Sequence, residues 1–156
     1  MDLLPVVLIL IITMCIVLLF GYGRHFRTQH SANQKMFLAG TVPNPMPDGL
    51  LKGSVTGLQT SWQGKSFNAT ASTGINNFSK NGVETQSYPF KTSVGKGVAD
   101  KNLEVLKIDY NLPENKWYMR FVLDEIVQTE PGKYLGKLHI RFLGLHFALG
   151  YFTLSK

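Results

Sequence analysis

Lys137-Leu138-His139-Ile140-Arg141-Phe142 decides the fold. Apolar Leu138, Ile140 and Phe142 alternate with Lys137, His139 and Arg141, a period of two that sends successive side chains to opposite faces of a strand. Leu106, Ile108 and Tyr110 alternate with Lys107 and Asp109 in the same way, and Trp117, Met119, Phe121 and Leu123 form a third apolar file. Turn chemistry separates such runs. Asn81-Gly82 is a two-residue hairpin signal, and Glu130-Pro131-Gly132-Lys133 has Pro and Gly where a type II turn wants them. The pattern predicts strands near 50–57, 65–71, 73–79, 84–92, 103–110, 117–128, 133–142 and 146–154. No amphipathic helix of about ten residues or more competes for this space. About eight short strands predict an all-β domain, and closure into an antiparallel barrel removes exposed edges.

The other end of the chain has a different texture. Leu3 to Gly23 contains no charged residue, and Leu3 to Phe20 is almost wholly apolar. Eighteen such residues at about 1.5 Å rise span roughly 27 Å, close to the hydrocarbon thickness of a bilayer. A cleaved secretory signal needs a positive start and a small-residue cleavage site, and Met1-Asp2 supplies an acid instead. Residues 1–23 are therefore expected to form one uncleaved transmembrane helix. Arg24, Arg27 and Lys35 follow it and nothing basic precedes it, so the positive-inside rule puts the soluble part in the cytoplasm, with the periplasmic side as the alternative.

Residues 24–48 read as a basic juxtamembrane stalk and Pro-rich spacer. Arg24 to Ala39 has no acid and can extend the helix for a few turns before Gly40 stops it. A sharper reading puts Arg24, Arg27 and Lys35 against anionic headgroups at the membrane surface. Val42-Pro43-Asn44-Pro45-Met46-Pro47 cannot be helical and is expected to be extended.

Of 156 residues, those from 49 to 156 suffice for one small core and exclude a two-domain enzyme. All 16 Lys and Arg and nine of the 10 acids follow position 23, so the part beyond the apolar run carries +7. Its lysines are spread singly rather than in a stripe, which argues for membrane proximity and against nucleic acid. The single Cys15 lies inside the apolar run, so the β domain forms no internal disulfide.

Thr60-Ser61-Trp62-Gln63-Gly64-Lys65 opens the β region with a Trp-x-Gly. The stretch resembles the opening of lipocalin-like barrels and of the family named for its Gly-x-Trp-x-Gly motif, with Thr60 where that motif has its leading glycine. The resemblance implies that Trp62 plugs one barrel end beneath a basic residue from a late strand, Arg141 or Arg120. Leu106 to Tyr110 and Pro131 to Lys137 are similar to stretches of bacterial membrane-anchored proteins, which implies a bacterial source and supplies no activity.

Chemistry-bearing constellations are sparse. Gly64-Lys65-Ser66 resembles the end of a phosphate-binding loop, but Gln59 stands where that loop needs glycine. His25, His30, His139 and His146 lack a cysteine or paired acid to complete a ligand set, so no metal site and no cofactor are expected. Arg120, Val122 and Asp124 are expected on one strand face, giving an Arg–Asp surface pair, while Asp124 and Glu125 point to opposite faces. No nucleophile elbow is present. The expected function is non-enzymatic: a single-pass anchored barrel that binds or handles a lipid-like ligand at the bilayer. Arg120, Arg141, Trp62, Tyr118 and His139 are its candidate contacts, with a guanidinium holding a carboxylate or phosphate head. The alternatives are an accessory subunit of a larger membrane protein complex and, third, a small lipid-acting enzyme.

Overall fold

A computed structural model of the chain describes residues 3–156. Two helices, α1 (Leu3–Gln29) and α2 (Ala32–Ala39), precede eight strands. These are β1 (Gly49–Val55), β2 (Trp62–Asn68), β3 (Thr73–Lys80), β4 (Val83–Lys96), β5 (Glu104–Asp109), β6 (Val122–Glu130), β7 (Lys133–Phe142) and β8 (Leu145–Ser155). The strands pair in chain order as antiparallel neighbours and close into a barrel. The alternation at Leu138 and Ile140 holds: both pack inward, whereas Lys137 and His139 face outward beneath the helices.

Two expectations about elements are corrected. The file from Trp117 to Leu123 is not continuous strand, because Met119–Phe121 form a 3-10 turn and β6 begins at Val122. The helical extension past residue 23 is present and stops at Gly40 after a break at residues 30–31, but the segment is not a free stalk. Helix α1 continues to Gln29, and its last turns lie along β8. Ser31 then caps α2, its Oγ accepting from the Gln34 backbone N–H at 3.3 Å. Phe37 from α2 buries against Val105, Val127, Leu135 and Tyr151 on the outer barrel face. Thr41 pairs with Gln128 before the proline-rich segment leads into β1.

Fourteen large apolar side chains between Leu3 and Phe20 are exposed. Removing a Val, Leu or Ile side chain from water stabilises it by about 1.5–3 kcal/mol. A free helix of this kind has no aqueous solution, and Leu3–Gln29 is a candidate membrane anchor by length and composition.

The barrel closes unevenly. β1 meets β8 only from Lys52↔Ser155 to Val55↔Phe152. The first part of β8, from Leu145 to Tyr151, pairs with β7 alone on the strand side. Helix α1 occupies that neighbourhood. Gly21 lies under the Phe147 ring, Arg24 Nη2 donates to the Leu149 carbonyl at 2.5 Å, and the Ala148 N–H donates to His25 Nδ1 at 3.1 Å. Residues 21 to 28 of α1 thus run in the same direction as residues 147 to 151 of β8. The apolar part of α1 accordingly projects past the β7–β8 hairpin end of the barrel.

Candidate functional site

A cavity of about 760 Å³ runs from the barrel interior to the last turns of α1. Trp62, Phe78, Tyr88, Tyr110, Met119, Val122, Leu138 and Phe152 form most of its inner wall. Arg24, Arg27, Thr28 and Ser31 line it from the helical side, and Val55 and Thr56 from the end of β1. The volume falls within the about 300–1,000 Å³ typical of small-molecule sites. Two arginines and Lys65 are its charged lining residues, and no acid lines it.

Space inside the barrel is created by glycine. A Cβ on Gly136 would sit 2.1 Å from the Phe152 ring, and one on Gly53 would sit 2.4 Å from the Trp62 ring. Both rings therefore lie against bare backbone on the neighbouring strand. They meet edge to face with centroids 5.5 Å apart.

At the inner end sits a polar cluster. Lys65 Nζ donates to Asn76 Oδ1 at 2.9 Å, to Asp124 Oδ2 at 2.9 Å and to the Tyr110 hydroxyl. Three N–H donors thereby meet three acceptors from β3, β6 and the end of β5. Trp62 Nε1 adds a bond to Asn76 Oδ1 at 3.0 Å, and the Tyr110 hydroxyl donates to Asp124 Oδ2 at 3.2 Å. The Lys65 and Asp124 side chains are only 4% and 3% exposed. Four aromatic rings, of Trp62, Phe90, Tyr110 and Phe152, surround the ammonium at 5.1 to 5.5 Å. Burial lowers the Lys65 pKa from the ordinary lysine value, and Asp124 opposes that shift. Burial raises the Tyr110 pKa well above the usual phenol value, with the Asp124 charge adding to it. With every lysine proton engaged, the amine is an ion-pair partner rather than a free nucleophile.

The sequence-expected residues divide. Trp62 lines the cavity, and Tyr118 stands at its edge, with its hydroxyl 3.3 Å from that of the lining Tyr88. Arg141 is on the outer face, where Nη2 and Nη1 grip both oxygens of Asp109 at 2.6 and 3.1 Å. Arg120 points away from Asp124 and donates to Asn111 Oδ1 at 3.1 Å. The expected Arg120–Asp124 pair is replaced by Lys65–Asp124, because the 3-10 turn before Val122 breaks the two-residue period. The basic group near Trp62 is likewise Lys65, 5.3 Å from its ring, rather than Arg141 or Arg120. His139 is fully buried on the outer face beneath the helices and lies opposite Ala148, and His146 is paired across the hairpin with Arg141. Arg24 and Arg27, expected at the membrane surface, line the cavity, and Lys35 is exposed on α2.

Comparison with protein-family models, curated proteins and solved structures finds no match to this chain.

Proposed function

We propose that the barrel holds a lipid-like ligand at the membrane surface in which α1 is anchored. One observation carries this reading: the mostly apolar cavity is continuous from the barrel interior to the turn of α1 that bears Arg24 and Arg27. An amphiphile would place its chain among Trp62, Tyr88, Leu138 and Phe152 and its polar head at the two guanidiniums. This assigns the anchoring role to Arg24 and Arg27 rather than Arg120 and Arg141. The protein acts as a binder rather than an enzyme, in the manner of a lipocalin-like barrel. The arginines flanking the apolar helix favour a cytoplasmic barrel.

Gentle purification of the full-length chain, followed by native mass spectrometry and lipid extraction, tests the proposal. A bound lipid near one per chain, diminished in Arg24→Ala/Arg27→Ala, is the expected outcome. An empty barrel, or one that arrives with a stoichiometric membrane protein, overturns it and favours the accessory-subunit reading.

A further inference from the structure

Three of the four connections at the β7–β8 hairpin end of the barrel carry an exposed large apolar residue, and the fourth, Asn81-Gly82, is followed directly by exposed Val83. Leu58 between β1 and β2 is 62% exposed, Trp117 between β5 and β6 is 72% exposed, and Leu143 at the β7–β8 turn is 68% exposed. Val83, Phe121 and Leu145 at the same end are also exposed. The three connections at the opposite end, 69–72, 97–103 and 131–132, contain no exposed large apolar residue. Outside those connections the opposite end exposes Met46 and Leu50 around the start of β1, Val94 late in β4 beside Met46, and Leu38 of α2 next to the β4–β5 connection, but no aromatic residue.

The β7–β8 turn makes the pattern sharper. Asn81-Gly82 and Leu143-Gly144 are both two-residue hairpin loops with positive φ at both positions. Asn and Gly suit that conformation, and a bulky leucine does not. At φ +50° Leu143 accepts a strained backbone and presents its side chain to the outside. Nothing in the barrel contacts explains a leucine there.

We propose that this end of the barrel docks into the interface of the bilayer that α1 crosses. The direction of α1 supports the bilayer as occupant, since residues 21 to 28 follow residues 147 to 151 and the apolar helix leaves past this same end. Aromatic side chains with nearby cations are the chemistry of the headgroup layer, and Lys116 and Arg120 flank Trp117 and Phe121 in the chain. Docking turns the cavity edge at Val55, Thr56 and Met119 toward lipid. The inference rests on the anchored reading of α1 and not on the cargo of the cavity.

The chain has two tryptophans, so Trp62→Phe leaves Trp117 as the sole emitter. Full-length Trp62→Phe protein in nanodiscs of phosphatidylcholine and phosphatidylglycerol is measured with acyl-brominated lipid and with aqueous iodide. The Trp62-only variant Trp117→Phe provides the difference signal should Trp62→Phe fold poorly. We expect at least twofold quenching of Trp117 by brominated lipid and little by iodide. Leu143→Asn, which suits the turn, should keep or raise the unfolding midpoint while weakening quenching by brominated lipid. Strong iodide quenching without a bromolipid effect overturns the proposal. So does shielding from both quenchers, which would mean that a second copy or a partner protein covers the rim. Lipid extraction from the same samples separates the two readings: a quenched Trp117 with an empty barrel sustains docking and ends the ligand reading, and the converse result does the reverse.

Discussion

Two lysines are buried in this protein, one inside the barrel and one outside it, and they do different work. Lys65 draws its hydrogen-bond partners from β3, β6 and the end of β5, so its pairing ties strands to one another. Lys137 projects from the outer face of β7. Its Nζ reaches Gln34 Oε1 at 2.7 Å, Asp100 Oδ2 at 2.5 Å and Gln29 Oε1 at 3.4 Å, with the Phe37 ring centroid 4.3 Å away. Those partners come from α1, α2 and the β4–β5 connection, so this pairing fastens the helices to a finished barrel. Similar chemistry, a desolvated ammonium with one aspartate and aromatic rings, closes the wall in one place and attaches the anchor in the other. A buried ion pair stabilises little against a packed apolar alternative, but losing one partner is expensive. The location of the partners then decides what comes apart.

Asp124→Ala gives the largest expected effect. It strands a fully desolvated Lys65 and should cost about 3–5 kcal/mol of global stability. Denaturant unfolding in detergent, followed by circular dichroism, checks this. The double variant Lys65→Met/Asp124→Leu should recover much of that loss, and a double variant worse than Asp124→Ala would mean that the charges themselves hold the barrel. Lys137→Ala should cost less, about 1–3 kcal/mol, because Asp100 is 11% exposed and can meet water. Its signature is local: faster hydrogen exchange across residues 24–40 with the β2–β5 amides unchanged. Uniform acceleration through the barrel would erase the contrast between the two lysines.

Acid should probe the outer region as well. His139 is buried with neither ring nitrogen hydrogen-bonded, and burial, then the Lys137 charge, depresses its pKa to about 3. Facing Glu125 is also buried. Its Oε1 accepts from the Val98 N–H at 2.7 Å, and burial raises its pKa. Below about pH 6.5 the unfolded imidazole binds a proton that the folded one refuses, so stability falls with pH through that window toward 3. Glu125 slopes the other way, its folded state holding a proton above the unfolded carboxyl value of 4.5. Between pH 7 and pH 5 the histidine contribution amounts to about 2 kcal/mol. His139→Leu should flatten that part of the profile, and an unchanged slope would assign it elsewhere. Arg141→Ala should matter least. Its pair with Asp109 is partly solvated, at 25% and 42% exposure, which limits the loss to about 1 kcal/mol in the same unfolding assay.

Strands were legible wherever alternation ran unbroken between turn residues. β7 matches its expected range, 133–142, and the hairpin at Asn81-Gly82 forms as its dipeptide predicts. The long apolar helix, a candidate anchor, was equally plain, because length and composition alone define it. The inner cluster was not legible. Lys65, Asn76, Tyr110 and Asp124 meet from β2, β3, the end of β5 and β6, and nothing local marks them as neighbours. Inward Tyr110 was readable from its file with Leu106 and Ile108, whereas a lysine on the inner face contradicts the polar-outward rule that made the strands visible. His139 shows the complementary failure. Its outward file was right, but alternation does not tell a surface open to water from one that helices cover.

The short β1–β8 seam bears on the order in which the protein is made. Arg24 and its acceptor Leu149 lie 125 residues apart, and α1 touches no strand as closely as β8. A ribosome delivers the candidate anchor α1 long before the strand against which it will rest. During that interval the apolar helix has no intramolecular partner and is available to the membrane. The barrel cannot lock onto α1 until β8 emerges, so under the anchored reading of α1 insertion would precede docking.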